Sequence, residues 1–100
     1  MLRITDILDK TQGYLTPLEQ ELIEKAYIFS ASVHQGQVRL SGEPYMTHPM
    51  EVAGILADME LDAATVATGL LHDTVEDTLT TLEQIEGLVG KDVAFLVDGL

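Results

Sequence analysis

Cysteine is absent from all 100 residues, so neither a disulfide nor a thiolate zinc site can form. Any bound metal has to rest on histidine and carboxylate. Basic residues are nearly as scarce. Five Lys and Arg stand against 17 Asp and Glu, for a net charge of −12. Between Arg39 and Lys91 there is no basic residue, while ten acidic ones fall in that interval. A nucleic-acid-binding surface shows the reverse pattern, so no direct nucleic acid contact is expected from this segment. Long apolar runs are missing too. Nothing approaches the roughly 20 residues that a membrane span requires, and the start Met1-Leu2-Arg3-Ile4-Thr5-Asp6 lacks the apolar core of a signal peptide. These absences together predict a soluble, cytoplasmic protein that does not engage a membrane. No repeat, low-complexity tract or linker divides the chain, and no segment alternates with period two for long.

What is present reads as helix. An apolar content of 46% in 100 residues supports one small domain and not two. Thr16-Pro17-Leu18-Glu19 combines a capping threonine, a first-turn proline and a capping-box glutamate. The spacing of Leu22, Ala26, Phe29 and Val33 extends that helix to about His34. Residues 36–45 read as loop, broken by Gly36, Gly42 and Pro44. Pro49 fits the first turn of a second helix with a stripe of Val52, Ile55, Leu56 and Met59. Asp62 can cap a third, carrying Val66, Gly69, Leu70 and His72. Thr80 with Glu83 suggests a capping box for a fourth helix that ends at Gly90. Val93, Leu96 and Val97 mark a fifth. The class is all-α, a bundle of about five helices.

Chemistry concentrates in two segments. In Leu70-Leu71-His72-Asp73-Thr74-Val75-Glu76-Asp77-Thr78, an adjacent histidine and aspartate close an apolar helical run. They offer mixed nitrogen and oxygen ligands suited to Mn, Fe, Zn or Mg. The plain alternative is a polar helix end with the histidine meeting the last carbonyls, but left uncoordinated at a buried helix end the pair would be costly. Glu76 and Asp77 follow within one turn, near enough to hold or deprotonate a water on such a cation. They also read as plain loop carboxylates. The second segment, Gly36-Gln37-Val38-Arg39-Leu40-Ser41-Gly42-Glu43-Pro44-Tyr45-Met46-Thr47-His48-Pro49, supplies a cation, hydroxyls and a further histidine. Arg39 is the only basic residue near the motifs, and its guanidinium suits a purine face or phosphate oxygens. Tyr45 either packs under the loop or contacts a sugar. His48 by itself reads as a helix-capping or surface histidine. His34 reads as a surface or loop-packing histidine and not a ligand, and Thr78 as a support for the loop around it.

Taken together, the two segments resemble the hydrolase domain of the RelA/SpoT stringent-response family, within the HD superfamily of metal-dependent phosphohydrolases. The resemblance runs from His34-Gln35-Gly36-Gln37 through Arg39, Ser41-Gly42-Glu43-Pro44-Tyr45 and His48-Pro49, then past Val52-Ala53 to Leu71-His72-Asp73 and Val75-Glu76-Asp77-Thr78. It covers roughly residues 20 to 100. It implies His48, His72 and Asp73 as metal ligands, Mn²⁺ as the ion with other divalent cations as alternatives, and Glu76 and Asp77 as the pair acting on water. Arg39, Ser41 and Tyr45 would lie on the substrate side. The implied reaction is hydrolysis of guanosine 3′-diphosphate 5′-di- or triphosphate, releasing pyrophosphate from the 3′ position. The alternatives are an HD-type hydrolase for another nucleotide, or a non-catalytic regulatory partner of an alarmone synthetase.

Two departures qualify the match. Many relatives carry a lysine after the arginine, where this chain has Leu40, so one positive charge beside the pocket is lost. In the family a later helix carries the remaining aspartate ligand, which has no counterpart in these residues. The chain therefore reads as the N-terminal part of one HD-type hydrolase domain, residues 1–100, incomplete at its C-terminus. An apolar face left uncovered by missing helices leads to an expectation of homo-oligomers.

Overall fold

A computed structural model of the chain describes residues 2–38, 42 and 44–99. Seven helices follow in order: α1 (Ile4–Thr11), α2 (Pro17–Val33), α3 (Thr47–Asp58), α4 (Ala63–Leu71), α5 (Thr74–Asp77), α6 (Leu82–Val89) and α7 (Lys91–Asp98). Among the described residues there is no strand, only an isolated bridge between Val38 and Pro44. The class is all-α. Two short helices add to the five predicted. α1 lacks a Ser, Thr, Asp or Asn cap: Arg3 stands at the N-cap, and its backbone N–H donates to the Asp6 carboxylate at 2.8 Å. α5 is one turn of four residues, too short to show a period.

Capping fixes most of the other boundaries. The Thr16–Glu19 capping box forms, with reciprocal bonds of 2.9 and 3.2 Å. Asp62 caps α4 by accepting from the Thr65 N–H at 2.9 Å. The box before α6 is built one residue later than predicted, from Thr81 and Gln84. Thr80 is excluded because it is buried, with its hydroxyl 2.6 Å from that of Thr78.

α4 is the central helix. Ala63, Val66, Ala67, Thr68, Gly69, Leu70 and Leu71 are all buried, and α2, α3 and α7 pack around it. The face that α3 turns inward is the predicted stripe only in part: Val52 and Leu56 are half-buried against α4. Pro49, Met50, Ala53, Gly54 and Ala57 are buried, whereas Ile55 and Met59 are 59% and 62% exposed. The reason is close approach. A Cβ added at Gly69 would sit 2.8 Å from Leu56 Cδ1 and 3.3 Å from Val52 Cγ1, so glycine at this point lets these two α3 side chains pack against α4. The same shift affects α2, whose buried positions are Ile23, Ala26 and Ser30. α1 closes over α2 and α3, tied at its ends by Lys10 to Asp58 (2.6 Å) and, just beyond it, by the Tyr14 hydroxyl donating to the Leu61 carbonyl (2.8 Å).

A turn of only four residues joins α3 to α4, so the helices run in opposite directions. That places the N-terminus of α3 beside the C-terminus of α4. The site is built there.

Candidate metal centre

Three donors converge at that corner. His48 lies in the first turn of α3, His72 is the C-cap of α4, and Asp73 is the N-cap of α5. The His48 and His72 rings meet edge to face, with centroids 5.2 Å apart. One ligand atom from each of the three residues lies within 4.8 Å of the others, the only such group of three or more among the described residues. A cation holds nitrogen and oxygen donors at about 2.0–2.2 Å, so opposed donors stand up to roughly 4.4 Å apart. Contraction by a few tenths of an ångström would bring this group to bonding range.

The hydrogen bonding of His72 indicates what fits between them. Its Nδ1 lies 2.7 Å from the Gly69 carbonyl oxygen, which can only accept, so the proton sits on Nδ1. In the neutral ring, Nε2 then carries a lone pair and faces the Asp73 Oδ2 at 3.2 Å. A proton on Nε2 or a cation beside it satisfies that contact, and the cation can also take His48 as a third donor. A backbone carbonyl on the far ring nitrogen is also how metal-bound histidines are commonly oriented. The donor set fits a divalent cation.

Both side chains are partly exposed, His72 at 20% and Asp73 at 25%. The desolvation cost expected from a fully buried helix end is correspondingly smaller.

Glu76 and Asp77 are exposed and stand outside the three-residue group. Glu76 faces two hollows. One, of 160 Å³, is shared with His72, Val75 and Asp98; the other, a groove of 680 Å³, is walled by Phe29, Val33, Gln37, Leu79 and Asp77. The carboxylate pair thus stands between the three donors and a groove large enough for a small molecule. Asp77 accepts a hydrogen bond from the Tyr45 hydroxyl. Tyr45 in turn stacks on His34, with ring centroids 4.0 Å apart and planes 13° from parallel. His34 is buried and pairs through Nδ1 with Gln37 Oε1 at 3.1 Å, so it packs the loop. Arg39 and Ser41 lie outside the described residues.

Sequence reasoning marked Thr78 as a support of this corner but missed the hydroxyl ladder that extends from it to Thr74 and Thr80. Thr74 Oγ1 donates to the Leu71 carbonyl (2.8 Å), and Thr78 Oγ1 to the Thr74 carbonyl (2.5 Å). The Thr80 N–H donates to Thr78 Oγ1 (3.1 Å). The recurrence of threonine at 74, 78 and 80 was the available signal. The Gly69 carbonyl, one turn before His72, is the contact with the last carbonyls that a histidine at a helix end makes.

Comparison with known proteins agrees with the geometry. The HD domain family matches residues 26–100. The chain belongs to the HD domain family, in its RelA/SpoT branch. A GTP pyrophosphokinase of Myxococcus xanthus is 61% identical over 80 residues, covering 80% of this chain and 11% of that protein. The GTP pyrophosphokinase rsh of Brucella melitensis is 45% identical over 100% of this chain and 13% of its own length. The bifunctional (p)ppGpp synthase/hydrolase SpoT of Escherichia coli K12 is 48% identical over 89% of the chain and 13% of its own length. The chain therefore spans between 11% and 13% of these relatives. Within this HD domain, His48, His72 and Asp73 are so placed that they could bind a metal.

Proposed function

We propose that this HD domain hydrolyses guanosine 3′-diphosphate 5′-di- or triphosphate, releasing pyrophosphate from the 3′ position, with Mn²⁺ held by His48, His72 and Asp73. The observation that carries the reading is the His72 ring, whose Nδ1 is committed to the Gly69 carbonyl while Nε2 faces Asp73. The relative from Escherichia coli O157:H7 named guanosine-3′,5′-bis(diphosphate) 3′-pyrophosphohydrolase supports the choice of substrate.

A bound divalent ion would supply Lewis acidity and lower the pKa of water. The protein's own groups do the rest. His72 keeps a fixed tautomer and presents Nε2. Asp73, making no side-chain cap bond to α5, keeps its carboxylate free for the same point. Glu76, beside His72 and at the mouth of the groove, is placed to accept a proton from the attacking water. Asp77, next to it on the same turn, would orient that water or the phosphate. Arg39, Ser41 and Tyr45 are the substrate-side residues of this reading. With Glu76 and Asp77 on its wall and a chain charge of −12, the groove would repel a polyphosphate unless a cation reversed the local sign. Turnover should therefore depend strictly on metal.

The test compares wild type with Asp73→Ala, using this chain together with any residues that its reading frame adds. Calorimetric titration with Mn²⁺ should show binding that Asp73→Ala loses. Pyrophosphate release from the 3′-pyrophosphorylated guanosine nucleotide should be lost in the same variant. Full activity in Asp73→Ala would sink the ligand assignment. Activity on other nucleotides alone would replace the substrate and keep the chemistry.

A further inference from the structure

The Tyr45 phenol sits on Asp77, 32 residues away in sequence, and not on the open groove. Three contacts hold it there. Its ring stacks on buried His34. Its backbone N–H donates to the Gln37 carbonyl at 3.2 Å, and Gln37 in turn reaches His34 Nδ1. The Val38–Pro44 bridge closes the base of the same loop. On the far side, the Asp77 backbone N–H donates to the Asp73 carbonyl at 2.9 Å, so the α5 turn links Asp77 to one of the three donors. A phenol donating to a carboxylate fixes which oxygen remains for another partner and restricts rotation about the final side-chain torsion. An exposed aspartate without such a bond would sample many orientations.

We infer that Tyr45 is a positioning residue, whose hydroxyl aims the Asp77 carboxylate and ties Tyr45, with the Gln37 it bonds, to α5, His34 being the platform beneath its ring. The inference rests on the functional reading above for what Asp77 does, though not for the existence of the lock. It replaces a sugar contact for the Tyr45 hydroxyl with a role exerted through Asp77. The two roles separate kinetically. A substrate contact is felt in KM, whereas a group that orients a water-handling carboxylate is felt in kcat.

The experiment compares wild type, Tyr45→Phe, Asp77→Asn and the double variant. Phe keeps the ring on His34 and removes only the hydroxyl, so the fold is preserved. With Mn²⁺ present, Tyr45→Phe should lower kcat on the order of tenfold, the scale of one hydrogen bond to a charged group, with KM within about twofold. On the Asp77→Asn background it should cost little more, because the partner is already altered. A KM rise at unchanged kcat, or fully additive losses, would overturn the inference in favour of a substrate contact.

Amide hydrogen exchange without metal or nucleotide gives a readout independent of activity. Tyr45→Phe and Asp77→Asn should each speed exchange at the Asp77 and Thr78 amides and at Tyr45, by a similar factor and without summing. Unchanged exchange in both variants would show that no lock exists. Should wild type release no pyrophosphate while the exchange pattern holds, the substrate reading fails and the lock stands.

Discussion

The two sides of the corner between α4 and α5 are held by different forces. On the donor side, His48 and His72 ride on helices packed so closely that Gly69 leaves no room for a methyl group. Their separation is set by the α3–α4 hairpin and by one carbonyl bond. On the other side, Glu76 and Asp77 sit on a single helical turn that contributes one fully buried residue, Thr74. That turn is held by threonine hydroxyls and by Tyr45. A metal ligand needs fixed geometry to within a fraction of an ångström, which close packing provides. A group that moves a proton needs access to water and substrate, which an exposed turn provides. The same four-residue step from Asp73 to Asp77 crosses from one regime to the other.

The largest expected contrast is chemical. Glu76→Gln should leave Mn²⁺ and nucleotide bound while slowing pyrophosphate release by roughly 10²–10⁴-fold, the usual worth of a positioned acid–base group. If metal affinity fell together with turnover, as expected for Asp73→Ala, Glu76 would belong to the donor side and the division would break. Release assays paired with metal content decide it.

A smaller effect probes the packing. Gly69→Ala pushes a methyl onto Leu56 Cδ1 and Val52 Cγ1. Leu56 can swing away, but the β-branched Val52 is stiff, so a loss of about 1–2 kcal/mol in urea unfolding is expected. Because the shift would separate α3 from α4, Mn²⁺ affinity should fall as well. Unchanged affinity would mean that the carbonyl bond alone sets the donor geometry.

The smallest effect concerns the start of α4. Hydrogen bonds from the Thr65 side chain and backbone hold the Asp62 carboxyl below its ordinary pKa. A lowered folded-state value means that the stabilisation is complete above the unfolded value and is lost as pH falls through the folded one. Asp62→Ala should cost about 1 kcal/mol at neutral pH. That cost should shrink in acid, once pH falls through the lowered folded value and wild type loses the charged cap as well. Parallel urea curves at neutral and acid pH test the sign, and a cost that grows with acid would contradict it.

Local chemistry was legible in the sequence. Thr16-Pro17-Leu18-Glu19 and Asp62 announced two helix starts, and both form, because a cap is decided by residues within one turn. The box before α6 was displaced by one residue, since only the fold buries Thr80 and leaves Thr81 free. The helix faces were read less well. Apolar spacing marked Val52, Ile55, Leu56 and Met59 of α3 as core, while the fold half-buries Val52 and Leu56, exposes Ile55 and Met59, and buries Met50, Ala53 and Ala57 instead.

By itself, the sequence determined the all-α class, the branch of the HD family, and the restriction of any metal to histidine and carboxylate. These follow from composition, from short-range periodicity and from motifs whose residues lie near one another in the chain. Only the tertiary structure decided that His48 meets His72 across 24 positions of chain, since that contact is made by the reversal between α3 and α4. Only the tertiary structure placed Tyr45 on Asp77 and stacked it on His34, because contacts between a loop and a distant turn depend on where the helices beneath them pack.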